Sequence, residues 1–135
     1  MVECNYHDCD DSEPCPAHYV EVARPMDADP FIKEVLAFFD TGSPLVILPA
    51  KYQNTIELHP ARTVPLLWRS FGYRDPETPT YLVSITVEGC EPELVEAVFP
   101  PSEIHYEYVL IGRNLMKSWT ILLNGPEQKM IITKH

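Results

Sequence analysis

The residues with the clearest chemical potential are Phe38-Phe39-Asp40-Thr41-Gly42-Ser43. A carboxylate that closes an apolar run is expensive to bury unless it is hydrogen-bonded or put to use. Thr41 brings a hydroxyl and a backbone NH. Gly42 lets the chain turn closely and lets another group approach, and Ser43 brings a second hydroxyl. An ordinary strand-to-turn junction would use the same residues. A second cluster, Val109-Leu110-Ile111-Gly112-Arg113-Asn114-Leu115-Met116, follows at an offset of 110 − 40 = 70 positions. The five histidines are scattered, no nucleophile elbow accompanies a Ser/His/Asp set, and no phosphate-binding loop is present.

A third group lies at the N-terminus. Cys4, Cys9, Cys15 and His18 have the spacing C-x4-C-x5-C-x2-H, enough donors for one zinc ion. The tight C-x2-C knuckles of most zinc sites are missing, so these four are weak ligand candidates and no metal is assigned. The alternative is a reduced, loosely packed arm; a disulfide is disfavoured because no secretion signal is visible. Residues 1–30 hold eight acids and one base, net −7, whereas 31–135 hold twelve acids and nine bases. That shift sets residues 1–18 apart as an acidic, Cys/His-containing arm, with the domain proper at 19–135.

The elements that must position these groups read as strands. The chain has 135 residues, 45% hydrophobic, with a net charge of −10, which suits one folded domain. The charge excludes a nucleic-acid binder, since phosphate contacts need clustered bases. No apolar run is long enough for a membrane span. With no signal sequence at the N-terminus, a cytoplasmic location is expected. Fourteen prolines against five glycines suit short strands and turns better than long helices. Strands are expected at 19–22, 31–39, 45–48, 94–99, 104–111, 120–123 and 129–133, with one helical turn near 51–55. Residues 64–68 and 81–88 would form a long hairpin whose tip, 69–80, protrudes. The short helix is expected at 114–119, capped by Asn114, and Asn124-Gly125 would turn the last hairpin. The fold class is therefore all-β with one short helix near the C-terminus.

In this order and spacing, the two motifs resemble the retropepsin family of aspartic peptidases. Members carry a hydrophobic pair, Asp-Thr-Gly-Ala or Asp-Thr-Gly-Ser, a flap hairpin, an Ile-Gly-Arg-like turn into a short helix, and a final strand. The counterparts here are Phe38-Phe39, Asp40 to Ser43, the hairpin at about 64–87, Ile111-Gly112-Arg113 and the helix from Asn114. Leu122-Leu123-Asn124-Gly125-Pro126 also looks like the stand-alone bacterial members. The resemblance covers about residues 19–133 and implies a single-lobe, closed acid-protease barrel. Two departures stand out. Pro44 occupies the position where retroviral enzymes often place an acid that pairs with the Gly-Arg arginine. The hairpin tip also has one glycine, Gly72, among Arg69, Phe71, Tyr73 and Pro76.

The resemblance implies a homodimeric aspartic endopeptidase, without cofactor, acting on an extended peptide or protein. Carboxylate hydrolysis of a peptide bond takes one ionised and one neutral acid. One chain holds one Asp-Thr-Gly, so Asp40 would pair with its mate across a two-fold axis. Thr41 would lock the two loops together, and Gly42 would offer its backbone to the substrate. Ser43 would hydrogen-bond near the aspartate and favour its charged form. Leu110 and Ile111 would line the pocket, Trp68 and Phe71 would grip substrate from the flap, and Gly112 and Arg113 would form the structural turn. The terminal strands, 129–133 included, would interleave. Two other readings stand beside this one: a catalytically silent barrel that dimerises and binds, and a zinc-dependent interaction module built on the arm.

Overall fold

In the computed structural model, residues 1–8, 13–101, 103–105 and 107–135 are described, Ser70 by its backbone alone. The elements in chain order are β1 (Val2–Asn5), β2 (Ala17–Ala23), β3 (Pro30–Phe39), β4 (Val46–Ile47), β5 (Pro60–Trp68), β6 (Tyr73–Val87), β7 (Glu93–Val98), β8 (Val109–Ile111), α1 (Arg113–Met116), β9 (Trp119–Asn124) and β10 (Lys129–Lys134). Two short 3₁₀ turns, at Ala50–Tyr52 and Arg69–Phe71, complete the set. Among the described residues no helix is long and apolar enough to cross a membrane.

Period-two alternation builds the barrel. In β6, Val83, Ile85 and Val87 are buried, while Leu82 faces outward and is 40% exposed. In β2, Val20 and Val22 do the same. The main sheet runs β2-β3-β8-β4-β7-β6-β5, and a further β2–β6 pairing closes six of these strands into a ring. The pairs β3–β8 and β4–β7 are parallel; the others are antiparallel. A separate three-stranded sheet, ordered β1-β10-β9, packs beneath. Cys4, Met130 and Ile132 from that sheet join the same core as Ile32, Leu48 and Ile111. Among the described residues this is the all-β fold with one short helix that the residue pattern predicts, closed into the barrel that the resemblance implies.

Four local features differ from expectation. β1 is a strand on the edge of β10, with Cys4 buried and Glu3 paired to Lys129 at 3.4 Å, rather than part of a loose arm. The acid-rich composition around it hides a short Val-Glu-Cys-Asn alternation. The hairpin tip is only a turn at 69–72, and β6 resumes at Tyr73. Pro76 and Pro79 fit because that part of β6 pairs only with β5, so the opposite edge needs no NH. Of the described residues in the expected 104–111 strand, only Val109–Ile111 pair, and Ile104 folds back on the Pro101 carbonyl in a turn. The last hairpin turns through 125–128, not through Asn124-Gly125 alone. Asn124 accepts a bond from the Glu127 amide, and Gln128 adopts a left-handed φ of 53°.

Candidate active site

Asp40 sits where two distant segments meet. β3 runs parallel to β8, with Phe38 beside Leu110 and Phe39 beside Ile111. The Asp40 amide continues the ladder onto the Ile111 carbonyl at 2.9 Å. The chain then turns: the Ser43 amide donates to the Asp40 carbonyl, and the Gly42 amide donates to Asp40 Oδ1 at 2.9 Å. One carboxylate oxygen is thus oriented by backbone on a half-buried side chain.

The second motif clamps this loop from the far side. The Arg113 amide donates to the Ser43 carbonyl at 2.8 Å, and the Asn114 amide to the Pro44 carbonyl at 3.1 Å. Arg113 Nη1 donates to the Thr41 carbonyl at 2.8 Å. With proline at position 44, the guanidinium takes a main-chain acceptor in place of an acid. Asn114 does not cap α1; its Nδ2 donates to the Glu96 carbonyl, and the N-cap position belongs to Gly112. A Cβ on Gly112 would overlap the Leu45 carbonyl oxygen, so only glycine lets the two segments meet. Phe38 packs edge-on against Tyr108, and the Phe39 ring lies 6.4 Å from that of Trp119.

Beside Asp40 lies a cavity of about 200 Å³. Its apolar wall is a small cluster distinct from the main core, with Ile47, Trp68 and Val98 buried and Leu45, Leu66 and Leu110 partly so. The hairpin tip contributes Leu67, Arg69 and Phe71 to the same cavity. Asp40, Gly42, Ser43, Trp68, Phe71 and Leu110 therefore share one space, while the Thr41 side chain faces solvent at its edge.

Two assignments change. Ile111 is fully buried in the main core and does not line the cavity, because successive residues of β8 point to opposite faces. The Ser43 hydroxyl donates to the Leu45 carbonyl at 2.6 Å rather than bonding near Asp40. Wall residues missed in the sequence are Leu45, Ile47, Leu66 and Val98. Their signal was apolar residues at strand ends, indistinguishable there from core.

The N-terminal ligand candidates diverge. Cys4 is buried with its thiol on the Met130 carbonyl, and burial pushes its pKa up. Cys15 is disulfide-bonded, on a chain segment whose backbone bridges to His7, contrary to the expected reduced arm. His18 Nε2 lies 3.1 Å from the Glu88 carbonyl, and Cys9 falls outside the described residues. Among the described residues no three His, Cys, Asp or Glu side chains gather as a metal site.

No family model matches this sequence, and neither does any curated protein. Solved structures do match. Simian foamy virus (mac) protease aligns at 15% identity over 76% of this chain and 92% of its own, with a TM-score of 0.52. A retropepsin-like aspartic protease from Rickettsia conorii aligns at 15% identity over 85% of this chain and 93% of its own, with a TM-score of 0.51. At that identity the likeness is one of fold: this chain has the retropepsin-like fold.

Proposed function

We propose that this chain is an aspartic endopeptidase that acts as a homodimer on extended peptides. The observation that carries the reading is Asp40, its carboxylate held by the Gly42 amide, beside an apolar cavity to which the β5–β6 tip contributes. In the dimer, Asp40 faces its mate at about 3 Å, a separation at which two carboxyls cannot both ionise and so share one proton. The ionised member takes a proton from water, and the neutral one hydrogen-bonds the scissile carbonyl oxygen. The peptide lies as an added strand beneath the tip, which acts as the flap, with alternate side chains entering the cavity. Trp68 and Leu110 form its wall, and the exposed Phe71 closes over the substrate. Thr41, exposed beside the aspartate, joins the two loops across the axis.

The small sheet supports one choice of dimer axis. β10 has β1 on one side and β9 on the other, so it has no edge left to interleave with a partner. Among the described residues the outer edges of β1 and β9 are both open. The β9 edge carries no charged residue, whereas β1 carries Glu3, and Leu122 and Leu123 are more than half exposed. Undefended edges of this kind pair with another strand, and β9 against β9′ is self-complementary about a two-fold axis.

The test is peptide-library cleavage by wild type and Asp40→Asn between about pH 3 and 7, the range in which carboxyl pairs share a proton. Cleavage by wild type alone, blocked by a statine-type inhibitor, is the expected result. A folded dimer that cleaves nothing would overturn it and leave a binding barrel.

A further inference from the structure

Resting on that reading, we propose that Arg69 makes the cleft selective for peptides in which an acidic residue neighbours the apolar side chain that fills the cavity.

The chain as a whole is acidic, at −10. The hairpin tip reverses that sign. Residues 68–74, Trp-Arg-Ser-Phe-Gly-Tyr-Arg, contain two arginines and no acid. Several other bases are already engaged: Arg62 with Glu96, Lys129 with Glu3, Lys134 with Glu93, and Arg113 with the Thr41 carbonyl. Arg69 makes no ion pair among the described residues, and it lines the cavity that holds Asp40.

The rest of the lining sharpens the argument. Leu45, Ile47, Leu66, Trp68, Val98 and Leu110 offer no charge to a substrate. The Ser43 hydroxyl is engaged by the Leu45 carbonyl. Asp40 belongs to the reaction and repels anions. Arg69 is thus the charged group left in the cavity to read a substrate side chain, and its guanidinium matches a carboxylate in a bidentate fork. Its backbone is fixed from both sides. Trp68 is buried before it, and the Gly72 amide closes the turn onto the Arg69 carbonyl, with Gly72 at a φ of 61°. A strand-like substrate sends neighbouring side chains to opposite faces. One enters the apolar cavity; the next turns toward the flap-side rim of that cavity, which Arg69 lines.

The experiment uses full-length protein and a matched peptide set with Glu, Gln or Lys beside a fixed apolar residue. Cleavage is measured at about pH 6, where Glu is ionised, for wild type, Arg69→Gln and Arg69→Glu. Because Arg69 is exposed, the expected Glu-over-Gln ratio in kcat/KM is modest, about three- to fivefold. It should shrink with added salt, vanish in Arg69→Gln and invert toward Lys in Arg69→Glu. A merely structural arginine would change all three peptides alike. Affinity of the same peptides for Asp40→Asn, by fluorescence anisotropy, separates this idea from catalysis. A Glu/Gln affinity ratio that follows the charge at position 69 supports it even when nothing is cleaved. A ratio indifferent to position 69, or no binding of any peptide, overturns it.

Discussion

Replacing Gly112 with alanine tests whether the two motifs are locked by backbone contact. The glycine has φ −94° and ψ −179°, an extended conformation open to any residue, so the constraint is steric rather than conformational. The new Cβ would overlap the Leu45 carbonyl oxygen, lie 2.5 Å from its carbon and 2.8 Å from the Leu45 nitrogen. These are main-chain atoms, and they cannot step aside. Pro44 is held by the Asn114 amide, Leu45 by the Ser43 hydroxyl, and Ile47 by pairing to Leu110. Overpacking a well-filled site costs about 1–3 kcal/mol, and the fixed backbone places this case at the upper end. The unfolding entropy of a domain this size is about 0.28 kcal/mol/K, so about 3 kcal/mol lowers Tm by about 10 °C. Gly125→Ala is the control, because nothing lies within 4 Å of its Cβ; it should stay within about 0.5 kcal/mol of wild type. Thermal unfolding by circular dichroism reads both. A Gly112→Ala protein melting with wild type and the control would refute the lock.

Ser43→Ala strands a Leu45 carbonyl that the hydroxyl now satisfies at 2.6 Å. It should cost about 1–2 kcal/mol in denaturant unfolding and leave the pH–activity profile in place; a shifted profile would mean that the hydroxyl acts on Asp40 after all. The Glu96 carboxyl is pulled below its usual range, chiefly by the hydrogen bond from Arg62. A depressed folded-state value stabilises above the unfolded pKa of about 4.5 and is lost as pH falls through the folded one. The Tm gap between wild type and Glu96→Gln should therefore be present at neutral pH and shrink as the pH falls from the unfolded value through the lower folded one; a gap independent of pH would contradict it. Leu123→Lys on the open edge of β9 should leave the folded monomer within about 0.5 kcal/mol of wild type but reduce dimer in sedimentation velocity and activity in parallel. An intact, active dimer would remove β9 from the interface.

Local signals carried much of the fold into the sequence. Alternation in β2 and β6 and the breaks at Asp40–Pro44 and Gly112 mark elements within a few residues of where they lie. What escaped was set by distant partners. β1 exists because β10 has a second edge to fill, and nothing within Val2–Asn5 announces that. Leu110 and Ile111 look alike in sequence, and only the parallel seat of β8 beside β3 turns one toward the cavity and the other into the core. The missing acid at Pro44 left Arg113 without an evident partner, since a main-chain acceptor carries no residue identity. The same limit hid the direction of the Ser43 hydroxyl.

These contacts divide folding from chemistry. Each chain closes its own barrel and pairs its own N-terminal strand, so both edges of β10 are filled from within the chain. The loop bearing Asp40 is likewise held from within, by amides of the following helix and by Arg113. A chain built this way can fold on its own, and on the proposed reading it then holds half of a two-carboxylate site. If activity depends on the dimer, it should fall with the square of concentration on dilution below the dimer Kd, while circular dichroism stays constant. Subunit exchange with Asp40→Asn protein then supplies folded partners lacking the second carboxylate, and activity should fall in proportion to mixed dimers formed. Activity that is linear in protein concentration and blind to the mutant partner would show that one Asp40 suffices, and the paired-carboxyl mechanism would have to be abandoned.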